Sequence, residues 1–435
     1  MQRRSVYSLM LYLLQPLMLA HSVWLAWRNS PNRVSLRERL ALGALPRRDS
    51  PLWVEAFSVG QVRALAALLE SLGERCGPLL ITASTPAGYL LACELFGSRH
   101  EVRAAPWDLP GAGRRFLSTV QPRAAVFIET EFMPNLVETA RARGIPVALL
   151  SAGLSEQALR SYPRLWRAKM VAHMLRTYAA VGAQSETDRD RFIALGAPAD
   201  RVTVTGNLKF DVPLNAQLAE RGPALRARWA DGRPLWVAGS TYAAEERILL
   251  DVQQRLLGAA RASGAPPPVL AFAPRRPERF AAVARWLAQQ RVPFACSNAA
   301  SEDATRRPGA DIVLVDEMGV LSAWYAAADV AFVGGSLNPV GGHNVLEPAV
   351  LGRPVLVGPN TFNFPDAARC LIEAGGAQRV YAAQDFAEIL GTWLRDPEAR
   401  TLAGARAAAA VLANRGAAAR SRALLATVVP AQSVS

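Results

Sequence analysis

The chain is poor in the residues that build metal sites, disulfide frameworks and lysine-rich surfaces. Its 435 residues include 4 cysteines and 4 histidines. Cys76, Cys93, Cys296 and Cys370 lie far apart, form no C-x-x-C pair and have no histidine at ligand spacing. That excludes a disulfide-stapled or zinc-ribbon architecture and reads as reduced cytosolic thiols. Lysine is almost absent: Lys169 and Lys209 stand among 49 basic residues, the rest arginine. No basic run is interleaved with aromatics, and no zinc, helix-turn-helix or RNA-binding signature occurs, so a net charge of +13 does not point to nucleic acid. An arginine-rich surface suits an anionic membrane face or a phosphorylated lipid. Internal repeats and long disordered linkers are missing too.

Charge of either sign is missing from Ser5 to Trp27. A stretch of that length can cross a bilayer, although Gln15-Pro16 interrupts its middle. Arg3 and Arg4 precede it, and the heavier cluster Arg28, Arg33, Arg37 and Arg39 follows. This order keeps the rest of the chain on the cytoplasmic side and argues against a cleaved signal peptide. Residues 1–28 are therefore expected to form a membrane helix, spanning or lying in the plane.

The length is too great for one hydrophobic core and predicts two domains. Apolar, β-branched runs mark strands at Leu52–Val54, Leu79–Thr82, Ala124–Ile128, Val147–Leu150, Thr177–Val181 and Val202–Thr205. A second series follows at Leu235–Ala238, Val269–Phe272, Ile312–Leu314, Val330–Val333 and Pro354–Val357. Helical patterns such as Gln61–Glu74 and Leu136–Arg143 separate them, which predicts an α/β fold with doubly wound, mainly parallel sheets. The expected domains cover 29–215 and 216–400, and the Ala/Arg-rich tail 401–435 forms a helix that packs back on the first.

Phe332–Phe364 is the densest segment, FVGGSLNPVGGHNVLEPAVLGRPVLVGPNTFNF. Gly334-Gly335 lets the backbone turn and present N–H groups after a strand. Gly341 and Gly342 stand before His343 and Asn344, where a helix is expected to open and offer its N-terminus to an anion. Glu347, one turn in, is placed to accept hydrogen bonds from ribose hydroxyls. Ser240-Thr241, Arg275 and Met318-Gly319 each follow a strand of the same series, where ligand groups collect in such sheets. A fixed guanidinium at Arg275 suits a phosphate or carboxylate. Lys209, in a chain that otherwise chooses arginine, marks a place for a compact ammonium.

Taken together, these segments resemble the bacterial 3-deoxy-D-manno-octulosonic acid (Kdo) transferases, glycosyltransferase family 30. The resemblance is carried in order by WVEAFSVG (Trp53–Gly60), Thr85–Gly88, ETEFMPNL (Glu129–Leu136), Leu154-Ser155-Glu156, Ala183–Ser185, TGNLKFD (Thr205–Asp211), Gly239–Thr241, APRRPERF (Ala273–Phe280), Asp316–Gly319 and Asp329–Pro348. It implies a GT-B fold of two Rossmann-like domains and the transfer of Kdo from CMP-Kdo to a lipid A precursor. It also implies attachment at the cytoplasmic face of the inner membrane. Lys209, Ser240, Thr241, Arg275, Met318, Gly319, Gly341, Gly342, Asn344 and Glu347 are then the expected donor contacts. No cofactor is implied, and no DxD-like pair at a strand end asks for a metal.

The acceptor side departs from the family pattern. Gln61 stands where the family carries a glutamate regarded as the base, and an amide cannot accept a proton near neutral pH. Glu55 replaces a usual histidine, Gly153 an arginine, and Tyr242 and Arg276 histidines. Three explanations stay open at this point. Glu55 takes over as base; Glu129 or Glu131 does so; or the chain is a paralogue with an altered donor or acceptor, or one that binds without transfer.

Overall fold

The computed structural model describes residues 2–27, 35–43, 50–73, 77–130, 132–154, 165–211, 216–298 and 309–430. Cys76, Glu131, Ser155 and Glu156 lie outside the described residues. The chain divides into two compact units, Met1–Val212 with Asn414–Ser435, and Pro213–Ala413.

In the first unit, β1 (Leu52–Glu55), β2 (Leu79–Ala83), β3 (Glu101–Ala104), β4 (Ala124–Ile128), β5 (Val147–Ala152), β6 (Ala180–Ala183) and β7 (Val202–Val204) form one sheet. Its order is β3-β2-β1-β4-β5-β6-β7, with every pair parallel. Side chains alternate between two cores, as the strand period requires. Trp53, Phe127 and Leu149 join Phe116, Leu136 and Tyr178 on one face. Leu52, Val54, Val126 and Leu150 join Val62, Leu65 and Leu425 on the other. Trp53 packs edge-on against Phe116 and Phe127 at 4.9 and 5.3 Å, and its buried indole N–H donates to Thr82 Oγ1 at 2.7 Å.

The second unit repeats the plan with β8 (Leu235–Thr241), β9 (Val269–Pro274), β10 (Ala295–Cys296), β11 (Ile312–Leu314), β12 (Val330–Val333), β13 (Val355–Val357) and β14 (Ala377–Arg379). Here the order is β10-β11-β9-β8-β12-β13-β14, again parallel throughout. Trp236, Phe272, Phe332 and Leu356 pack with Phe386 and Trp393 beneath one face. In both sheets the chain runs from its first strand to one edge and then crosses to the other side. Strand order therefore reverses between β1 and β4 and between β8 and β12. Ligands of open parallel sheets bind at such reversals, outside the carboxyl ends of the strands.

Three strands escaped the sequence reading: β3, β10 and β14, each at a sheet edge. The strand expected from Thr177 starts only at Ala180, because Thr177 closes the helix Leu165–Thr177 with its hydroxyl on Met174 O at 2.6 Å. The tail is two helices, Pro397–Ala413 in the second unit and Ala417–Val428 in the first. The return thus begins at Asn414, and 401–413 do not take part in it. Asp211 secures it, accepting the N–H groups of Gly416 and Ala418 at 2.7 and 2.6 Å, a charge-assisted helix cap.

The N-terminal helix Gln2–Trp27 carries Pro16 inside it. Tyr7 donates to Asp108 Oδ2 and Ser8 to Asn135 Oδ1, both at 3.0 Å. Leu9, Leu13 and Leu17 are exposed. No helix of the described residues is long and apolar enough to cross a membrane.

Candidate functional site

In the second unit, the groups singled out in the sequence stand at or just beyond the carboxyl ends of four adjacent strands, β11, β9, β8 and β12. Ser240 adopts a left-handed backbone (φ 58°) where the β8–β9 register shifts, so the chain bulges at the strand end. The bulge brings Ser240 O so near the next loop that a Cβ on Gly334 would lie 2.6 Å from it. Thr241 is fully buried, and among the described residues its hydroxyl has no hydrogen-bond partner. Arg275 follows β9 with its N–H on Thr241 O at 3.1 Å, and its half-buried guanidinium makes no hydrogen bond or ion pair among the described residues. Arg279, four residues on, is instead paired to the buried Glu246.

Met318 is exposed and Gly319 takes a left-handed φ of 79° just before the helix Leu321–Ala327. That helix ties the loops together. Its Ser322 hydroxyl donates to Glu347 Oε1. Its Tyr325 is buried beneath Gly239, and burial, reinforced by the Glu347 charge, pushes the phenol pKa well up. Gly341 and Gly342 are both left-handed, and the loop folds back so that Gly342 N–H donates to Gly335 O at 2.8 Å.

Two expectations about N–H groups need correction. The helix after Asn344 runs only Leu346–Val350, and Asn344 Oδ1 already accepts the Leu346 N–H at 3.1 Å. The N–H groups of the turn after β12 are also taken. Glu245, fully buried, accepts Gly335 (2.8 Å), Ser336 (3.0 Å) and Leu337 (2.9 Å), and Tyr242 N–H at 3.1 Å as well. Burial pushes the Glu245 pKa up, opposed by these donors. The sequence reading missed Glu245, although an acid at the third position of a helix following a strand is a capping signal. Nearby, Tyr242 and His343 stack in parallel at 5.7 Å, with Nε2 of His343 3.3 Å from the Tyr242 hydroxyl.

In the first unit, the candidates gather at the β1–β4 reversal. Glu55 ends β1 and is buried, with its carboxylate accepting from Ser84 Oγ at 2.6 Å and from Thr82 Oγ1. Gln61 is buried in the first turn of the helix Val59–Leu72, where its side-chain oxygen accepts the Phe57 N–H. It holds the main chain just before the helix, a role open to amide and carboxylate alike. Glu129 follows β4 with a left-handed φ of 61° and pairs with Lys209 Nζ at 2.6 Å, both partly accessible. Lys209 also lies against Gly60. Gly153 leaves room that Gln184 fills, its amide donating to Ser151 O at 2.8 Å and accepting from Asn207 at 2.9 Å. Among the described residues, no group of three or more His, Cys, Asp or Glu is placed to hold a metal ion.

Residues 34–212 match the family model described as 3-deoxy-D-manno-octulosonic-acid transferase (kdotransferase). A 3-deoxy-D-manno-octulosonic acid transferase of Bordetella pertussis is 37% identical over 430 residues, covering 95% of this chain and 96% of its own. The chain belongs to the Kdo transferase family. The Haemophilus influenzae transferase is 33% identical, again over 95% and 96% of the two chains. The crystal structure of Anabaena HepE in complex with UDP aligns with a TM-score of 0.53 at 12% identity, over 87% of this chain and 99% of that one. That likeness concerns the fold, which is GT-B. At the β1–β4 reversal Gln61 is buried, while Glu129 keeps a partly accessible carboxylate.

Proposed function

We propose that the protein transfers Kdo from CMP-Kdo to a hydroxyl of a lipid A precursor, inverting the anomeric centre. One observation carries the reading: identity to Kdo transferases runs through both units, and in the second unit the residues that the resemblance leads one to expect at the donor lie at the carboxyl ends around the β8–β12 reversal. There Arg275 and the Ser240 hydroxyl meet the donor phosphate, whose charge grows as its oxygen parts from the anomeric carbon. Glu347 accepts from the ribose, and Met318-Gly319 frames the cytosine. In the first unit, Glu129 takes the proton from the acceptor hydroxyl. The acceptor oxygen forms its bond to the anomeric carbon, and CMP leaves with the electron pair of the broken bond. Lys209 holds the Glu129 carboxylate in place. Glu55, with its oxygens on two hydroxyls inside the protein, shapes the strand end.

Purified full-length protein given CMP-Kdo and a lipid A precursor is expected to release CMP and add Kdo. Glu129→Gln should cut kcat about 100-fold or more, while Gln61→Glu leaves it within about threefold. A silent wild type that gains turnover with Gln61→Glu would defeat both the base assignment and the active-enzyme reading.

The same reading puts the protein on the cytoplasmic face of the inner membrane, held by the exposed Leu9, Leu13 and Leu17 of the N-terminal helix and by arginine charge. The protein should float with vesicles of anionic phospholipid. The triple substitution Leu9→Ser, Leu13→Ser, Leu17→Ser should remove most of that binding; flotation of the triple variant at the wild-type level would rule the helix out as the anchor.

A further inference from the structure

A turn that offers three successive N–H groups beside glycines is a ready anion cradle, and after β12 the anion is already supplied by the protein. Glu245 Oε1 accepts Ser336 and Leu337, and Oε2 accepts Gly335 and Tyr242. The carboxylate comes from the helix Ala243–Ser263, some ninety residues before the turn. It is wholly buried, and all four donors are main-chain groups whose positions it fixes.

Two of these anchored groups belong to segments that bear on the donor. Tyr242 directly follows the Ser240-Thr241 bulge and carries the ring stacked on His343. Gly335 lies under the imidazole of His343: a Cβ there would stand 3.1 Å from it. The turn Gly335–Leu337 also receives the Gly342 N–H and leads through it to Asn344 and Glu347. One carboxylate thus sets the relation between the loop after β8 and the loop after β12.

We propose that Glu245 is a positioning residue of the nucleotide-sugar site, an internal anion that locks the β12 turn and Tyr242 together so that the donor phosphate is met by side chains instead of by this cradle. The proposal rests on the donor reading above. Glutamine cannot replace it, because its NH2 group would face two of the N–H donors. Aspartate keeps the charge with a shorter reach.

Amide hydrogen exchange in the full-length wild type decides whether the cradle is already filled. Gly335, Ser336 and Leu337 should be protected about 100-fold or more without nucleotide, and saturating CMP should add little. CMP affinity and donor KM should worsen about tenfold in Glu245→Gln, with acceptor KM unchanged and part of the loss recovered in Glu245→Asp. Amides that exchange freely until CMP protects them would show that the cradle belongs to the nucleotide, and the proposal would fall. It would fall equally if a folded Glu245→Gln bound CMP as the wild type does, or lost donor and acceptor KM alike. Should that variant not fold, the wild-type exchange pattern still distinguishes a cradle filled by Glu245 from one left to the nucleotide. A wild type that binds no CMP overturns the donor role through the transferase reading itself, whereas the protection pattern reports on the cradle separately.

Discussion

Glycine in the Gly239-Ser240-Thr241 segment has a packing reason that sequence alone could not supply. A Cβ at Gly239 would stand 2.7 Å from the ring carbon of Tyr325 that bears the hydroxyl, and 3.0 Å from Leu321 Cδ1. Tyr325 is buried on all sides and cannot retreat freely. Gly239→Ala is expected to destabilise the second unit by about 1–3 kcal/mol, as overpacking of dense cores does. Tyr325→Phe in the same chain should relieve only part of this, because the ring carbon remains. Denaturant melts of the single and double variants measure it, and a Gly239→Ala protein as stable as wild type would contradict the close-packing account. The same limit governed the glycine turn after β12. Composition predicted a cradle of N–H groups, and the cradle exists. What occupies it is a carboxylate from another helix, a long-range contact that leaves no mark within the turn's own residues. Gln61 is the converse case: its mismatch with the family pattern was legible at once, while its bond to the Phe57 N–H required coordinates.

At the level of elements, legibility followed burial on both faces. Central strands such as Ala124–Ile128 and Val330–Val333 are continuous apolar runs bounded by turns, and their limits were found as they stand. Three of the four sheet edges were not. Glu101–Ala104 alternates charge with small residues, Ala377–Arg379 has one buried residue, and Ala295–Cys296 is two residues long. An edge strand pairs on one side only and has less need of an apolar sequence, which removes the signal used to detect it. The first-unit helix expected from Gln61 starts two residues earlier, at Val59 after Ser58, with Gln61 reaching back to the Phe57 N–H. The Asp211 cap explains part of the TGNLKFD motif. Its aspartate holds the returning helix Ala417–Val428, and its Gly206 admits Arg420, whose guanidinium donates to Thr205 O at 2.9 Å. Motif conformity that reads as ligand binding is here divided between a lysine at the candidate site and neighbours that dock a helix.

Across the whole molecule, each unit buries a tyrosine that links its stability to alkaline pH. Tyr178 in the first unit and Tyr325 in the second are both fully enclosed. Burial is the main cause that raises each phenol above its ordinary value of 10, with carboxylate charge from Asp108 and Glu347 adding to it. In an unfolded chain both would release their protons near pH 10. Below that pH the two states hold these protons equally and folding is unaffected. Above it the unfolded chain loses protons that the folded chain keeps, so stability falls as pH rises from about 10 toward the folded values, by about 1.4 kcal/mol per pH unit for each group. Phenylalanine cannot ionise, so Tyr325→Phe should lessen the slope of the second unit's alkaline unfolding and Tyr178→Phe that of the first, where Tyr7 and Tyr89, raised chiefly by burial, keep part of it. The double variant should lessen both slopes. Unfolding midpoints between pH 9 and 12, with tyrosinate absorbance read alongside, test this directly. Equal slopes in wild type and double variant would mean that other groups govern alkaline unfolding. A change confined to one unit would instead show that the two sheets unfold separately, the outcome expected where each carries its own closed core on its own parallel sheet.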